Sequence, residues 1–396
     1  MKVLVMSDAH IAKVKGGEIS YWCRTAVHGY EFWQRYLNVF DEVTVVARVQ
    51  VLNSIDKNVY TRADGRGVHF VELPFVRGTM GYVRNYFKLK KIMKNIINDE
   101  ACAIFRLPSL PTFMLLDEFK RTKRPYAIEV IVDPEDAYKT NAVAQWLLTR
   151  KLKKECLKAN GVSYVTKFFL EKKYPSKSIL EGESREYFDS YYSSIKLDDS
   201  FFGKPKSFEG LFGRELRLIH VASAINSDVK GHSTLLKIVK KLVEQGIKVS
   251  LRCVGDGDRR LYYENMAKEF GINDCVRFLG LFSNKNDIKS ELINSDMMIF
   301  PSRAEGLPRV LIEAMAVGLP CLSTSVNGIP ELLDSEYLFA PDDVEGFVKK
   351  IISLLNAPTI LNEMSEKNLR KAYEYSDLLL QKKRDDFYTR LRNLVR

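Results

Sequence analysis

Residues 301–321 read PSRAEGLPRVLIEAMAVGLPC, and the rest of the chain is ordered around them. The stretch continues an apolar run, MMIF, turns through Gly306-Leu307-Pro308, then repeats apolar residues at helical spacing as far as Gly318. Pro308 suits the first turn of a helix, where a missing N–H leaves nothing unpaired. Gly318 followed by Pro320 is a helix stop. Strand, tight turn and helix in that order make one unit of a parallel sheet. Glu305 falls in the loop ahead of the helix and Glu313 in its second turn. The N–H groups of Gly306, Leu307, Arg309 and Val310 crowd the helix start, forming an anion nest flanked by two acids. A diphosphate suits that nest, and a pair of sugar or ribose hydroxyls suits the carboxylates. The plainer account has Glu305 complementing the helix dipole and Glu313 pairing with Arg309 one turn back.

Upstream, the same alternation repeats. LRLIHVAS, a helix over 231–245, KVSLRCVGDG, a helix over 258–270, VRFLG, a helix over 285–294 and MMIFPS lead into the opening stretch, and PCLST follows it. In open sheets of this kind ligands sit beyond the carboxyl ends of the strands. Ser223 ends the first of these strands, and Lys230-Gly231 stands at the next helix start, with His232 and Ser233 in its first turn. A Lys there reaches an anion that free N–H groups already favour, although a solvated Lys before a glycine turn would look the same. Gly255 opens Gly-Asp-Gly-Asp, which allows close backbone approach or forms a plain strand-to-helix turn.

The first half begins KVLVMSD and continues through DEVTVVARV, VHFVELPF, CAIFRLP and RPYAIEVIVD, separated by helix-length segments. This is a second α/β unit with a parallel sheet. Between about 175 and 213 periodicity fades into Ser, Gly, Asp and aromatic residues. The expected plan is a Rossmann-like domain over 1–190, a linker over 191–213, a second Rossmann-like domain over 214–375 and a closing helix over 376–396. A ligand cleft between two such domains is the expected seat of function.

Composition narrows the classes. At 396 residues with 46% apolar and 28% charged side chains, the chain suits two folded domains rather than disorder. No apolar stretch approaches the roughly 20 residues that cross a bilayer. The N-terminus runs from a strand-like pattern straight to an acid, unlike a secretory signal. Six scattered cysteines lack metal-ligand spacing and suit reduced thiols in the cytoplasm. The net charge of +11 is uneven: residues 1–190 carry 31 basic and 22 acidic side chains, residues 191–396 carry 30 and 28. YVRNYFKLKKIMKNIIN at 82–98 sets Arg84, Lys88, Lys91 and Lys94 among aromatic and apolar residues, and RKLKKECLK adds charge. Such faces suit an anionic membrane surface or plain solvation. No recognised nucleic-acid module accompanies them.

PSRAEGLPRVLIEAMAVGLPCLSTSVNGIPELL, preceded by KGHSTLL, VGDGDRR and VRFLGLF, resembles glycosyltransferase family 4, most of all over 215–345. Its flavour is similar to enzymes that build bacterial capsular polysaccharide or exopolysaccharide. The resemblance implies a GT-B fold, retaining transfer from a nucleotide-sugar donor without a metal or other cofactor, and a final helix crossing back onto the first domain. It implies that Glu305 contacts the transferred sugar and that Glu313 binds the ribose hydroxyls. Lys230 would neutralise the diphosphate, and the amides from Gly306 to Val310 would grip phosphate or sugar. Ser223 and Gly255 would line the donor, and Gly16 and Gly17 would form a first-domain loop approaching it. A lipid-linked sugar or an oligosaccharide is the implied acceptor, met in the cytoplasm or at the inner face of the cell membrane.

The sequence also departs from the pattern. Ala222-Ser223-Ala224 stands where the family carries a Gly-Arg pair, so a cationic arm is missing or is replaced by Arg303 or Arg309. No His lies between His69 and His220 to act near the reacting carbon; Glu129, Asp133 and Asp136 are the acids at that strand end. Two other readings compete: another GT-B enzyme such as a nucleotide-sugar epimerase, and a non-catalytic basic protein that binds membrane or nucleic acid.

Overall fold

Apolar strands capped by glycine turns assemble into two separate parallel sheets in the computed structural model, which describes every residue except 15–18, 25–27, 58, 77, 98, 140, 212, 283 and 396. Gly16 and Gly17 lie outside the described residues. The chain divides into two compact units, one made of Met1–Tyr192 with Gln381–Arg396 and the other of Ser193–Leu380.

In the first unit the strands are β1 (Lys2–Val14), β2 (Tyr21–Cys23), β3 (Glu42–Leu52), β4 (Thr61–Arg62), β5 (Val68–Pro74), β6 (Cys102–Leu107), β7 (Tyr126–Val130), β8 (Gly161–Tyr164) and β9 (Phe188–Tyr191). Its helices are α1 (Tyr30–Leu37), α2 (Gly78–Ile96), α3 (Leu110–Phe119), α4 (Pro134–Ala137), α5 (Ala142–Cys156), α6 (Phe169–Lys173) and α7 (Lys177–Glu181). Seven strands run parallel in the order β5-β3-β1-β6-β7-β8-β9, and β2 and β4 add a short antiparallel margin. Strand β1 pairs on both sides, Val3 facing Val43 and Cys102, so it reads as a nearly unbroken apolar run, as a doubly covered strand must. One face of this sheet is covered by α2, α3 and α5, whose Leu89, Met93, Phe113, Leu116, Leu148 and Leu152 join its core.

The second unit holds β10 (Leu216–Ala224), β11 (Val249–Asp256), β12 (Val276–Gly280), β13 (Met297–Phe300), β14 (Cys321–Thr324) and β15 (Leu338–Phe339). Its helices are α8 (His232–Glu244), α9 (Arg260–Glu269), α10 (Lys285–Ile293), α11 (Arg309–Ala316), α12 (Val344–Leu355) and α13 (Pro358–Tyr373). All six strands are parallel, in the order β12-β11-β10-β13-β14-β15. The chain winds outward from β10 to β12 and then returns to the other side of β10 with β13. That reversal opens a crevice at the carboxyl ends of β10 and β13.

Two sequence expectations change. Strand β9 lies in the stretch where periodicity had faded, because its four residues are too few to show an alternating pattern. The segment 193–213, expected as a linker, belongs to the second unit. Gly203 N–H bonds the Ala316 carbonyl at 2.8 Å, and Lys206 N–H bonds Ser365 Oγ at 2.8 Å. The Lys206 ammonium closes the end of α10 through the carbonyls of Ile293 and Ser295 at 2.5 and 2.6 Å, as cations at helix C-termini do. The closing helix, α14 (Asp377–Arg392), spans both units, with everything from Gln381 onward in the first.

Glu129 fastens that end of the chain. Its carboxylate is buried and accepts from Tyr388 on α14 at 2.7 Å, from Tyr192 at 3.1 Å and from Tyr36 at 3.3 Å, while Arg106 forms the ion pair. The acid considered from sequence as a candidate site residue is therefore structural. Asp133 is likewise committed, capping α4 through the Glu135 N–H at 3.0 Å and binding Tyr174 and Lys173, each at 2.6 Å. Asp136 pairs with Lys139 at 3.1 Å.

Candidate functional site

Two loops of the second unit are zipped together at the crevice. Gly231, at φ +74°, sits where an added Cβ would lie 1.9 Å from the Pro301 carbonyl oxygen, so only glycine fits. Arg303 N–H bonds the Val229 carbonyl at 2.8 Å. The close approach brings Lys230, from the loop after β10, against Glu305, from the loop after β13. Lys230 Nζ donates to Glu305 Oε1 at 2.5 Å, and Ser302 Oγ donates to the same oxygen at 2.7 Å. Asn327 holds the Glu305 backbone by donating to its carbonyl at 2.7 Å. The Glu305 side chain is 9% exposed and that of Lys230 31%, so the pair is desolvated on one side and reachable from the other.

The turn that follows is an open nest. Among the described residues the N–H groups of Gly306, Leu307, Arg309 and Val310 donate to nothing. Pro308 is the N-cap of α11 at ψ 109° and not a residue of its first turn. The helix ends as expected, with Gly318 at φ +70°.

Glu313 makes no hydrogen bond and no ion pair among the described residues. Burial pushes its carboxyl above the ordinary value, and the charges of Arg309 and Lys285 pull it back down. The Arg309–Glu313 pair of the plainer account is absent among the described residues, which leaves a half-buried carboxylate with free acceptor oxygens. Such a half-buried group, with no protein donor on its oxygens, can accept from the hydroxyls of a ligand.

Of the two arginines considered for the missing cationic arm, Arg303 is engaged elsewhere. Its guanidinium binds Asp228 at 2.6 Å and also pairs with Asp342. Arg309 has no ion pair among the described residues and stands at the nest. Gly255 is explained by packing: at φ +140° an added Cβ would lie 1.8 Å from the Ala222 carbonyl oxygen. Ser223 is exposed at the carboxyl end of β10. Lys230, Glu305 and the nest thus come together at the crevice, with Glu313 and Arg309 on the helix that leaves it. The roles of Ser302, Asn327 and Lys285 were not found from sequence; the Asn-Gly turn at 327–328 was their single local signal.

Under the loop, His220 and His232 are buried with ring centroids 4.8 Å apart. His220 Nδ1 meets the Ile299 carbonyl at 2.9 Å, and His232 stacks on Tyr263 at 4.9 Å. Burial lowers their pKa values to about 3 and about 4. In the first unit a polar cluster marks the register break in the middle of β1, where the Arg48 guanidinium binds Asp8 at 2.7 Å and the Val76 carbonyl at 2.9 Å and also meets His10. Among the described residues no group of three or more His, Cys, Asp and Glu is placed to hold a metal ion.

A crevice at a switch point, an open amide nest and two flanking carboxylates invite comparison with known proteins. Residues 207–373 match the family described as glycosyl transferases group 1. The chain is 27% identical over 381 residues to Protein CapJ of Staphylococcus aureus, covering 93% of this chain and 89% of that one. It is 33% identical over 125 residues to the amylovoran biosynthesis glycosyltransferase AmsK of Erwinia amylovora, 30% of each chain. Among solved structures it is similar to sucrose-phosphate synthase from Thermosynechococcus elongatus, with a TM-score of 0.72, 14% identity and 99% of both chains covered. It is also similar to Anabaena HepE in complex with UDP and glucose, with a TM-score of 0.63, 15% identity and 96% and 97% covered. The fold is GT-B, with two parallel-sheet α/β domains. No helix among the described residues is long and apolar enough to cross a membrane.

Proposed function

We propose that this protein is a retaining, metal-independent glycosyltransferase of family 4. It moves a sugar from a nucleotide-diphosphate donor to a lipid-linked or oligosaccharide acceptor during synthesis of a bacterial cell-surface polysaccharide, capsule or exopolysaccharide. It works in the cytoplasm, peripherally at the inner face of the membrane. The observation that carries the reading is Glu313, a half-buried carboxylate without a partner among the described residues, about one helical turn beyond an open amide nest. Neither feature is needed for folding, and together they match a ribose diol and a diphosphate.

Glycosyl transfer from such a donor builds negative charge on the leaving diphosphate. Lys230 and the nest amides are preorganised to hold that charge, which is where most acceleration originates. Donor binding separates Lys230 from Glu305, freeing the ammonium for phosphate and the carboxylate for sugar hydroxyls. Ser302 and Asn327 keep Glu305 in place when the ammonium leaves it. Lys230 and Arg309 give the diphosphate its counter-charge without a metal. The relatives named for polysaccharide synthesis and the HepE complex with UDP support the pathway and the donor class.

A thermal-shift panel of UDP, GDP, ADP and their sugar conjugates, run on wild type and Glu313→Ala, tests this reading. A ligand at 100 times its dissociation constant adds about 2.7 kcal/mol of stability. One nucleotide should stabilise wild type and leave the variant unmoved. If no nucleotide shifts either protein, the transferase reading fails and a non-catalytic basic binding protein replaces it.

A further inference from the structure

Helix α5 presents an outward face that its packing on the sheet does not use. Val143, Trp146 and Leu147 in its first two turns are 69%, 56% and 52% exposed, and Leu157 beyond its end is 41% exposed. Between them Arg150, Lys153 and Lys154 are exposed, and Lys158 follows. The inward positions Leu148, Leu152 and Cys156 are buried in the sheet core, so the helix is already fully packed on its own side. Its outer stripe is surplus to folding. The one acid between 142 and 158, Glu155, is buried and paired with Lys120 at 2.6 Å. Every exposed charge on the face is therefore positive.

Beside this face α3 and α5 border a concavity of about 610 Å³ lined by five cations, Lys120, Arg150, Lys151, Lys154 and Lys158, and by two carboxylates, Asp117 and Glu155. Lys120 and Lys151 are neutralised by Glu155 and Asp117, at 2.6 and 2.5 Å. Arg150, Lys154 and Lys158 have no carboxylate partner among the described residues. The Arg150 guanidinium lies 4.7 Å from the Trp146 ring, joining the apolar end of the stripe to the cationic end.

We infer that α5 is the membrane anchor of this protein, seated on an anionic phospholipid bilayer. Trp146, Leu147 and Val143 enter the headgroup boundary, and lipid phosphates occupy the Arg150–Lys154–Lys158 concavity. Apolar side chains beside unpaired cations, on one helix face without exposed acids, match the two halves of such a surface. A soluble acidic protein would satisfy the cations but leave an exposed indole and leucine without a purpose at the same edge. The sequence had pointed first to the helix at 82–98 and only secondarily to RKLKKECLK, which is the second half of α5 and the two residues after it. In the helix at 82–98 Leu89, Met93 and Ile96 are consumed by the core, leaving Phe87 and the neighbouring Tyr86, among the described side chains, as the large exposed apolar ones beside its outward cations. The inference deepens the membrane placement proposed for the enzyme and is independent of its donor chemistry.

Full-length protein would be mixed with phosphatidylglycerol–phosphatidylcholine vesicles and with pure phosphatidylcholine vesicles, following sedimentation and tryptophan emission. Trp33 is fully buried and Trp22 half-buried, so Trp146 dominates any change on docking. Binding should be confined to the anionic vesicles, with a blue shift that Trp146→Phe removes. Arg150→Glu/Lys154→Glu/Lys158→Glu should weaken partitioning about a hundredfold. Lys248→Glu/Lys268→Glu/Arg277→Glu, an equal change of net charge in the second unit, should leave it near wild type. Nucleotide thermal shifts on both triple variants should equal wild type, which keeps failure of the docking site distinct from failure of the transferase reading. The inference is overturned if both triple variants lose binding equally, if neutral vesicles bind as well, or if millimolar inorganic phosphate alone releases the protein without loss of the emission shift.

Discussion

Lys230 and Glu305, 75 residues apart in the chain, meet at 2.5 Å at the carboxyl ends of two neighbouring strands. The contact exists because Gly231 lets its loop lie against the Pro301 carbonyl. In the proposed function, each partner masks the other until a donor brings its own phosphates and hydroxyls.

Replacing Lys230 by Ala removes the ammonium that is proposed to meet the leaving diphosphate. Turnover should fall by about 10²–10³, corresponding to about 2.7–4 kcal/mol, with a smaller change in donor affinity. Steady-state kinetics with the donor identified by thermal shift gives the separation. A KM effect without a kcat effect would place Lys230 in ground-state binding alone.

Glu313→Gln should raise the melting temperature of the free protein while abolishing nucleotide stabilisation. The reason is that burial has raised the Glu313 carboxyl, so its ionised form costs stability. For an acid with a raised folded pKa, that cost is absent below the unfolded pKa and grows as pH rises through the folded value. The variant's gain should accordingly vanish in acid, as melts across pH 4–8 would reveal. A variant that melts lower at neutral pH would mean that Glu313 has a stabilising partner.

His232 shows the opposite dependence. Its folded pKa, lowered by burial to about 4, lies below the ordinary 6.5. Stability is thus intact above about pH 6.5 and is lost as pH falls toward 4, by roughly 3 kcal/mol for this group. His220, lowered further by burial and by His232, adds to the same loss. His232→Phe, which keeps the stack on Tyr263, should flatten the acid limb of the stability profile. Urea titrations at several pH values measure it, and an unchanged limb would exonerate the histidines.

Glu129→Ala should destabilise the first unit by about 3–5 kcal/mol, because Arg106 would be left buried without its carboxylate. Tyr388→Phe removes a single hydrogen bond and should cost about 1–1.5 kcal/mol. Because Tyr388 lies on the closing helix, hydrogen exchange on α14 should accelerate in both variants. A neutral Glu129→Ala would mean that the cluster contributes no net stability.

The alternation of strands and helices, the glycine stop at 318 and the approximate bounds of α8 to α11 were legible locally, since each depends on spacing within one turn or strand. So were the open amides before Arg309 and the placement of both acids about a single helix start. The linker was misread because residues 193–213 gain their place from distant partners, Ala316 and Ser365 among them. Asp133 and Glu129 looked like site acids because a carboxylate at a strand end looks the same whether it faces a ligand or a buried tyrosine.

The sequence alone therefore determined which short segments could form and which residue types stood at their ends. Tertiary structure decided which ends met. The order β11-β10-β13 brings Lys230 beside Glu305, removes Arg303 to Asp228 and Asp342, and leaves Glu313 without a partner. Backbone propensity acts over a few residues, whereas ion pairing and desolvation depend on distances that only the packed sheet sets.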